Sequence, residues 1–518
     1  MAYSRPGVYI SERLLPAPIG TGAEANAAGA IAAPFAQGPE IVTLVNSWYE
    51  FTKYFGGYNN AYPSTFGVAQ FFANGGRELY VKRILSSNAS SAAVTVSTAG
   101  SVAVFTATAR NRGSDGTNLR IQVEAGTVAG TYTLTLTRET VSGTASNTAN
   151  DILLERYENV IFDPSFSTSS DYANNVINNT SAYITIANNA AGVPASGIYP
   201  LTVGGSPVNG GDGATVVASD YTSYAATSTA VWNEFNFVNR PLVIFTPNIY
   251  DVVPTSTATV TAAASAWAEA NNGFYVAETA AGLTVDAAIA VAQALSGKSS
   301  TAMYYPHAYI ADPVGRGNGA LRLVGPSGAV VGRYLATDAS IGVFKAPAGL
   351  RSPVAGMVAL ERVFTTAELD RMNVGLPATG TGSVAPINPL RQIPGAGIVV
   401  MGARTLLQDG TANRYVNMRR SLIYIKARLK ALTEFAIFEN NDERLWSQIN
   451  GVIDSFLNEY RNQGGLRGGP AQAYFIKCDA ENNPANLIAQ GEVHIEVGVA
   501  LQYPAEFIVI DLSQKTLN

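Results

Sequence analysis

Residues 414–435 read RYVNMRRSLIYIKARLKALTEF, and residues 438–446 read FENNDERLW. In the first stretch Tyr415, Met418, Leu422, Ile425, Leu429 and Leu432 recur at steps of three and four, which predicts an amphipathic helix with one apolar stripe. Arg419, Lys426 and Lys430 fall beside one another on an adjoining face. The second stretch predicts a helix capped by a side-chain oxygen of Asn440 or Asn441, with Asp442 and Glu443 at its positive N-terminus. Leu445, Ile449, Val452, Ile453, Phe456 and Tyr460 form its buried face, and Gly464 and Gly465 end it. AQAYFIKCDAE, GEVHIEVGVALQ and PAEFIVIDLSQ follow as strands. Val493, Ile495, Val497, Val499 and Leu501 alternate with polar or small residues, so that strand has one buried face. Tyr503-Pro504 breaks the pattern, and Phe507, Ile508, Val509 and Ile510 then run without interruption, the mark of a strand covered on both faces. A strand of that kind after a proline break either tucks into its own domain or adds to a neighbour's sheet.

Working outward, 518 residues leave room for two to four domains. Charged residues are 14% of the chain and the net charge is −5, so nothing global points to nucleic acid or an anionic membrane. MAYSRPGVYI lacks a basic-then-apolar export signal, and no apolar run approaches the ~20 residues that span a bilayer. Cys478 is the only cysteine, which rules out an intramolecular disulfide and points to a reducing compartment.

Pro6, Pro16 and Pro18 around GVYIS read as an arm containing one strand. From Gly29 to Ile84, strands ANAAGAIAAPF, EIVTLV and ELYVKRIL alternate with helices SWYEFTKYFGG and PSTFGVAQFFANGG, the second capped at Ser64. From about Ser87 to Val231 the texture is Ser/Thr/Ala/Val/Asn/Gly, and VAVFTATA, NLRIQVEA, TYTLTLTRE, LLERYENVIFD and YITIAN predict a β-rich insertion whose ends lie close together. RPLVIFTPN, STATVTAAASAWAEANNG, FYVAE, TVDAAIAVAQALSG and TAMYYPHAYIAD then read strand, helix, strand, helix, strand, which predicts a parallel layer completing the earlier sheet. GLPATGTGSVAPI at 375–387 reads as a linker. The domains expected are an arm at 1–20, an α/β core at 21–88 and 230–375, a β-rich insertion at 89–229, an α+β domain at 388–502 and an arm at 503–518.

Three constellations bear on chemistry. Gly297-Lys298-Ser299 suggests a phosphate loop, but Ala292 stands where the first glycine is needed and a helix precedes it, so a helix C-terminus is the reading. Gly315, Gly317 and Gly319 suggest a dinucleotide turn, but no long amphipathic helix follows and Asp338 is the only suitable acid. His307 and His494 are the only histidines. His307, Asp312 and Ser327 could form a triad only if the fold brings them together, and GPSG is not a nucleophile elbow. No spacing supports a metal site.

PGAGIVVMGARTL (394–406), YVNMRRSLIYI (415–425), FENNDERLW, AYFIKCD (473–479) and PAEFIVIDLSQ (504–514) occur in that order, and together they resemble the C-terminal domain of contractile phage tail sheath proteins. GPSGAVVGRYLATDASIGVFKAPAG (325–349) resembles the segment before that domain in the same family, and SRPGVYISE (4–12) resembles its opening. Residues 90–230 match no family motif. The resemblance implies a multidomain α/β and α+β chain with a subtilisin-like central domain and a C-terminal domain lying innermost. It implies a structural subunit without catalytic, cofactor or metal sites. Copies would stack as hexameric rings around a tail tube, with tube, baseplate and tail terminator proteins as partners, and neither nucleic acid binding nor membrane insertion is expected. It would reside in the virion tail after assembly in the host bacterial cytoplasm. Subunits would join by strand exchange, with Val8 and Ile10 of one chain beside Phe507, Ile508, Val509 and Ile510 of another. Of the basic residues Arg419, Arg420, Lys426, Arg428 and Lys430, the candidates for an acidic tube surface are Arg419, Lys426 and Lys430; a solvated face or intersubunit ion pairs is the plain alternative. The other readings are the sheath of a phage-derived bacteriocin or injection system and, in a different class, a subtilisin-like hydrolase.

Overall fold

The computed structural model describes residues 27–139, 151–189, 192–202, 211–222, 231–315 and 319–507. Among these, 239–241 and 421–501 make one compact unit, and those within 28–238, 242–420 and 502–507 make the larger one.

The larger unit begins with β1 (Ala28–Pro34), β2 (Thr43–Val45), α1 (Trp48–Phe55), α2 (Ser64–Ala73) and β3 (Leu79–Ile84). All seven residues of β1, AGAIAAP, are buried, as a strand covered on both faces requires. Ser64 is not the cap of α2. It is the first helical residue, after Pro63, and its hydroxyl donates to the carbonyl of Pro247 at 3.0 Å.

The insertion contains β4 (Ala93–Ser97), β5 (Ala103–Ala109), β6 (Leu119–Ala125), β7 (Tyr132–Arg138), β8 (Ile152–Val160), α3 (Ala173–Thr180), β9 (Ile184–Asn188) and β10 (Gly197–Pro200). They form a four-stranded sheet, β10-β6-β7-β8, and a three-stranded sheet, β4-β5-β9. Val104, Phe105, Ile121, Leu134, Leu136 and Phe162 belong to one shared core, with the Phe105 and Phe162 rings stacked 4.3 Å apart. Its two ends meet: Ala93 N–H donates to Thr202 O at 2.8 Å, and Thr202 N–H returns to Ala93 O at 3.0 Å. The neck is tied by Arg83, which is wholly buried. Its guanidinium donates to the carbonyls of Phe35, Ala36, Gly38 and Arg112. The boundary at 229 needs correction. Ala218 and Tyr221, on α4 (Ala218–Thr222), belong to the core cluster of the main sheet with Trp232.

The main sheet resumes with β11 (Leu242–Phe245), α5 (Ile249–Val252), α6 (Thr257–Ala270), β12 (Phe274–Glu278), α7 (Val285–Gln293) and β13 (Thr301–Tyr305). Then come β14 (Ala308–Ala311), β15 (Leu321–Val324), α8 (Ser327–Ser340), β16 (Met357–Leu360), α9 (Thr366–Val374), β17 (Asn388–Ile393) and β18 (Gly397–Val400). Eight strands are ordered β18-β17-β13-β12-β11-β1-β3-β2. Pairing is parallel from β17 to β3 and antiparallel at both edges. The expected completion of one sheet by two separate segments is what the structure has. Three expectations fail locally. TAMYYPHAYIAD is two strands in two sheets, because Pro306 offers no N–H to continue the ladder. The linker 375–387 is packed: Ala385 and Ile387 lie in the core cluster. Asn388 does not open a separate domain, since β17 pairs with β13.

Helix α8 lies on α2 with almost no side chain between them. A Cβ at Gly328 would collide with the Gly67 carbonyl, one at Gly332 with the Phe71 carbonyl, and one at Gly67 with Pro247. This explains the glycines of GPSGAVVG as a packing requirement.

The smaller unit takes α10 (Val416–Thr433) from Ser421 onward, then α11 (Glu443–Asn462), α12 (Pro470–Ala473), β19 (Tyr474–Lys477), α13 (Ala485–Ala489) and β20 (Glu496–Val499). The cap of α11 is Asp442, whose carboxylate accepts from Leu445 N–H at 2.9 Å. Asn441 is engaged elsewhere: its Oδ1 accepts from the Trp446 indole and its Nδ2 donates to Glu492 O. The buried face of α11 is Leu445, Trp446, Ile449, Ile453, Phe456, Leu457 and Tyr460, with Val452 only half-buried.

Two glycine substitutions should move stability in opposite directions. Gly328→Ala forces α8 off α2 and should cost about 1–3 kcal/mol. Gly451→Ala, inside α11 with open space around it, should add about 0.5–1 kcal/mol. Thermal unfolding of the two variants checks both signs.

Candidate assembly surfaces

The basic residues of α10 separate into two groups. Lys426 and Lys430 are exposed, and Lys430 Nζ donates to Asn239 Oδ1 at 3.1 Å. Arg419 and Arg420 are engaged inside the larger unit. The Arg419 side chain is 12% exposed, 3.4 Å from the Glu269 carboxylate, and its Nε donates to Ser300 Oγ at 3.0 Å. Arg420 is 3% exposed, holds both oxygens of Asp338 and lies 4.8 Å from the centre of the Tyr334 ring. Glu434 was the only acid visible nearby in sequence, whereas the partners sit 150 and 82 residues away. Of the three tube-facing candidates, Lys426 and Lys430 thus reach a solvent face, and Arg419 is occupied within the fold.

Of the strand-exchange residues, Val8, Ile10, Ile508, Val509 and Ile510 lie outside the described residues. Phe507 is 73% exposed and belongs to no strand. Three of the five residues before it, Gln502, Tyr503 and Glu506, are held. Asn417 Nδ2 donates to Gln502 O at 3.2 Å, and the Tyr415 and Tyr503 rings meet edge to face at 6.2 Å. Arg404 binds the Glu506 carboxylate through Nε, at 3.1 and 3.2 Å, and through Nη2, at 2.5 Å. The bond to Glu506 raises the Arg404 pKa above its ordinary value. Reading the sequence missed this pair. The available signal was that GAR at 402–404 and PAEF at 504–507 recur together among the family-like motifs.

In the smaller unit β19 and β20 pair antiparallel, and each has only the other as neighbour among the described residues. Val493, Ile495, Val497 and Val499 are half-buried and Leu501 is buried, so the expected apolar face exists but is incompletely covered. Such a pair is marginal alone. Between α10 and α11, Ile437 and Phe438 are exposed, and Phe438 sits at φ 68°.

The catalytic alternatives find no geometry. Gly297 takes φ 80° beyond the end of α7. β14 and β15, on either side of 315–319, pair antiparallel, where a dinucleotide turn needs a strand leading into a helix. Gly317 lies outside the described residues. Asp312 pairs with Arg322 at 3.2 Å, and His307 Nδ1 is buried without a hydrogen-bond partner, so no triad is joined. His494 Nε2 lies 2.7 Å from Glu492 on a half-exposed surface. Among the described residues no group of three His, Cys, Asp or Glu could hold a metal. The one buried acid in this region is Glu278, at the end of β12. It accepts from Asn248 N–H at 2.5 Å and Ser327 N–H at 3.2 Å, at the starts of α5 and α8.

The fold is shared with sheath subunits of contractile particles. The helical sheath of the anti-feeding prophage in its contracted state matches with TM-score 0.56 at 19% identity, over 99% of this chain and 100% of that one. A sheath tail protein from Listeria innocua matches with TM-score 0.58 at 13% identity, over 92% and 95%. The sheath complex of an extracellular contractile injection system, contracted, matches with TM-score 0.53 at 20% identity, over 99% of each. Residues 408–515 match the phage tail sheath C-terminal domain. The tail sheath protein of Vibrio phage KVP40 is 28% identical over 125 residues, 24% of this chain and 18% of that protein. That of Salmonella phage ViI is 24% identical over 127 residues, 24% of this chain and 19% of that protein. The sequence match therefore spans under a fifth of these relatives' length.

Glu278 and His307 should shape the stability of the larger unit in opposite senses. Burial pushes the Glu278 carboxyl up from 4.5 to about 7. The folded state then holds this proton more tightly than the unfolded chain, so the contribution is full below 4.5 and is lost as pH rises to about 7. Burial pulls the His307 imidazole down from 6.5 to about 4, so its contribution is present above 6.5 and is lost as pH falls through 4. Glu278→Gln removes the first effect, at the cost of one of the two oxygens that accept the Asn248 and Ser327 N–H groups. Its Tm relative to wild type should rise from pH 5 to about 7.5 and then level off. A constant offset across that range would show that Glu278 does not titrate there.

Proposed function

We propose that this chain is the structural subunit of a contractile sheath. Copies stack as hexameric rings around a tail tube, and shortening of the sheath drives the tube through the host envelope. The carrying observation is the conjunction of a tail sheath C-terminal domain at 408–515 with a whole-chain fold shared with helical sheaths. A tail tube, a baseplate and a tail terminator are the partners of this reading, and the likeness to a chain of the anti-feeding prophage baseplate supports the second. The site of action is the virion tail, after assembly in the host bacterial cytoplasm. The matches to the anti-feeding prophage and to an extracellular injection system favour, as a second reading, the same role in a phage-derived particle. A subtilisin-like layout of the central domain is part of the proposal, supported by the parallel sheet with helices packed on it. No catalytic role is proposed. Negative-stain images of the purified chain test the reading: tubes support it, and particles that stay monomeric at every concentration oppose it.

The subunits are joined, in this proposal, by strand exchange onto the β19–β20 pair. Val8 and Ile10 of one neighbour and Phe507, Ile508, Val509 and Ile510 of another add to its edges. Burying four large side chains contributes about 6–12 kcal/mol before costs. Each added ladder hydrogen bond contributes about 1 kcal/mol, and ordering the arm subtracts several. Ile508→Asp with Ile510→Asp puts two unpaired charges where apolar contacts are needed. Sedimentation should find monomers, and full-length tubes from this variant would end the idea.

Lys426 and Lys430 are proposed to meet an acidic tube surface. Exposed charges are screened over about 8–10 Å at physiological salt, which gives a grip weak enough to release. Reversing both to Glu should abolish tube-templated assembly at low salt while leaving the fold intact; unchanged templating removes them from the contact.

A further inference from the structure

Residues 502–506 lead to the last described residue, Phe507. Three independent contacts fasten them to the larger unit: Asn417 to the Gln502 carbonyl, Tyr415 to the Tyr503 ring, and Arg404 to the Glu506 carboxylate. The last is the strongest by chemistry. Two nitrogens of one planar guanidinium grip one carboxylate, with both side chains four-fifths withdrawn from water. Arg404 is itself fixed by a further bond, Nη1 to Asn373 O at 3.1 Å, and its backbone N–H donates to Asn388 Oδ1 at 2.8 Å. Asn388 ties that backbone to β13 by donating from Nδ2 to Met303 O. The carboxylate is therefore anchored to the main sheet through one side chain. One residue later, Phe507 is 73% exposed and in no strand.

We propose that Arg404, with Asn417, clamps the root of the exchanged C-terminal strand and sets the point where it leaves its own subunit. This rests on the strand-exchange reading and adds to it. The arm begins at Phe507 rather than at 503, and load on the strand passes through Glu506 and Arg404 into the main sheet. A strand adds to a neighbour's edge only in one register, since a slip of one residue turns its apolar positions to the wrong face. With its root loose, the same strand loses a fixed starting point and must be ordered over more residues on docking.

The experiment compares Arg404→Glu, Glu506→Arg and the double swap, all in the full chain, beside a chain ending at Glu506. Tube formation is read by electron microscopy and by the subunit concentration at which pelletable polymer appears. Each single variant should raise that concentration about tenfold or more, the loss expected for a charge-assisted bond. The swap should bring it most of the way back, while monomer Tm changes little among the three. Single variants that assemble like wild type, or a swap that fails to restore assembly, overturn the clamp. If a single variant does not fold, Arg404→Gln and Glu506→Gln replace it, with the same rise expected. The shortened chain separates the two ideas, because it keeps the clamp and lacks the strand. Polymer from it refutes strand exchange itself, whereas its failure beside unimpaired single variants refutes only the clamp.

Discussion

The contact on which the larger unit depends is between two backbones. Helices α2 and α8 approach so closely that the hydrogen of Gly328 faces the carbonyl of Gly67, and Gly332 faces the carbonyl of Phe71. The same approach seats Pro247, against which Gly67 lies, and Pro247 accepts the hydroxyl of Ser64 at the start of α2. Beneath this junction the Glu278 carboxyl occupies the space that a side chain at Gly325 would need. Two helix starts and the end of one strand are thus fitted around a single acid. Interiors this dense do not deform by small amounts, so the region moves as a block or not at all.

Charge is sparse in this chain, and the structure shows where part of it is spent. Arg83 closes the neck of the insertion by donating to four carbonyls. Arg120, 1% exposed, joins Glu139 and Asp151, which stand on either side of residues 140–150. Arg420 fastens the first turn of α10 to Asp338 on α8. Each buried guanidinium sits where two segments distant in sequence must be held in register. That is costly in solvation, and Arg tolerates it because its planar fork satisfies several acceptors at once.

Much of the architecture was legible because its signals are periodic. The apolar strand at 242–245, the strand FYVAE at 274–278 and the alternating strands of the insertion fall where the pattern puts them. The failures share one cause. Composition at 375–387 reads as a linker, but Ala385 and Ile387 are recruited by the core, which a local window cannot register. Tyr305-Pro306 looks like a strand interior until the missing donor is placed in a ladder. The site fared less well than the fold. Of the stripe expected on α10, Tyr415, Met418 and Ile425 are buried while Leu422, Leu429 and Leu432 are half-buried; whether Arg419 faces solvent depended on Glu269, and the helix cap is Asp442 rather than Asn440 or Asn441, the latter bonded to a tryptophan.

The paired hydrogen bonds between Ala93 and Thr202 have an evolutionary reading. In an antiparallel pair of this kind the two Cα atoms stand about 5.5 Å apart. Everything from 94 to 201 therefore enters and leaves through a doorway one peptide wide. A lineage can lengthen, exchange or discard that module by recombination at two codons, while the rest of the gene drifts under separate selection. Relatives can then share a scaffold and differ almost wholly in this one module.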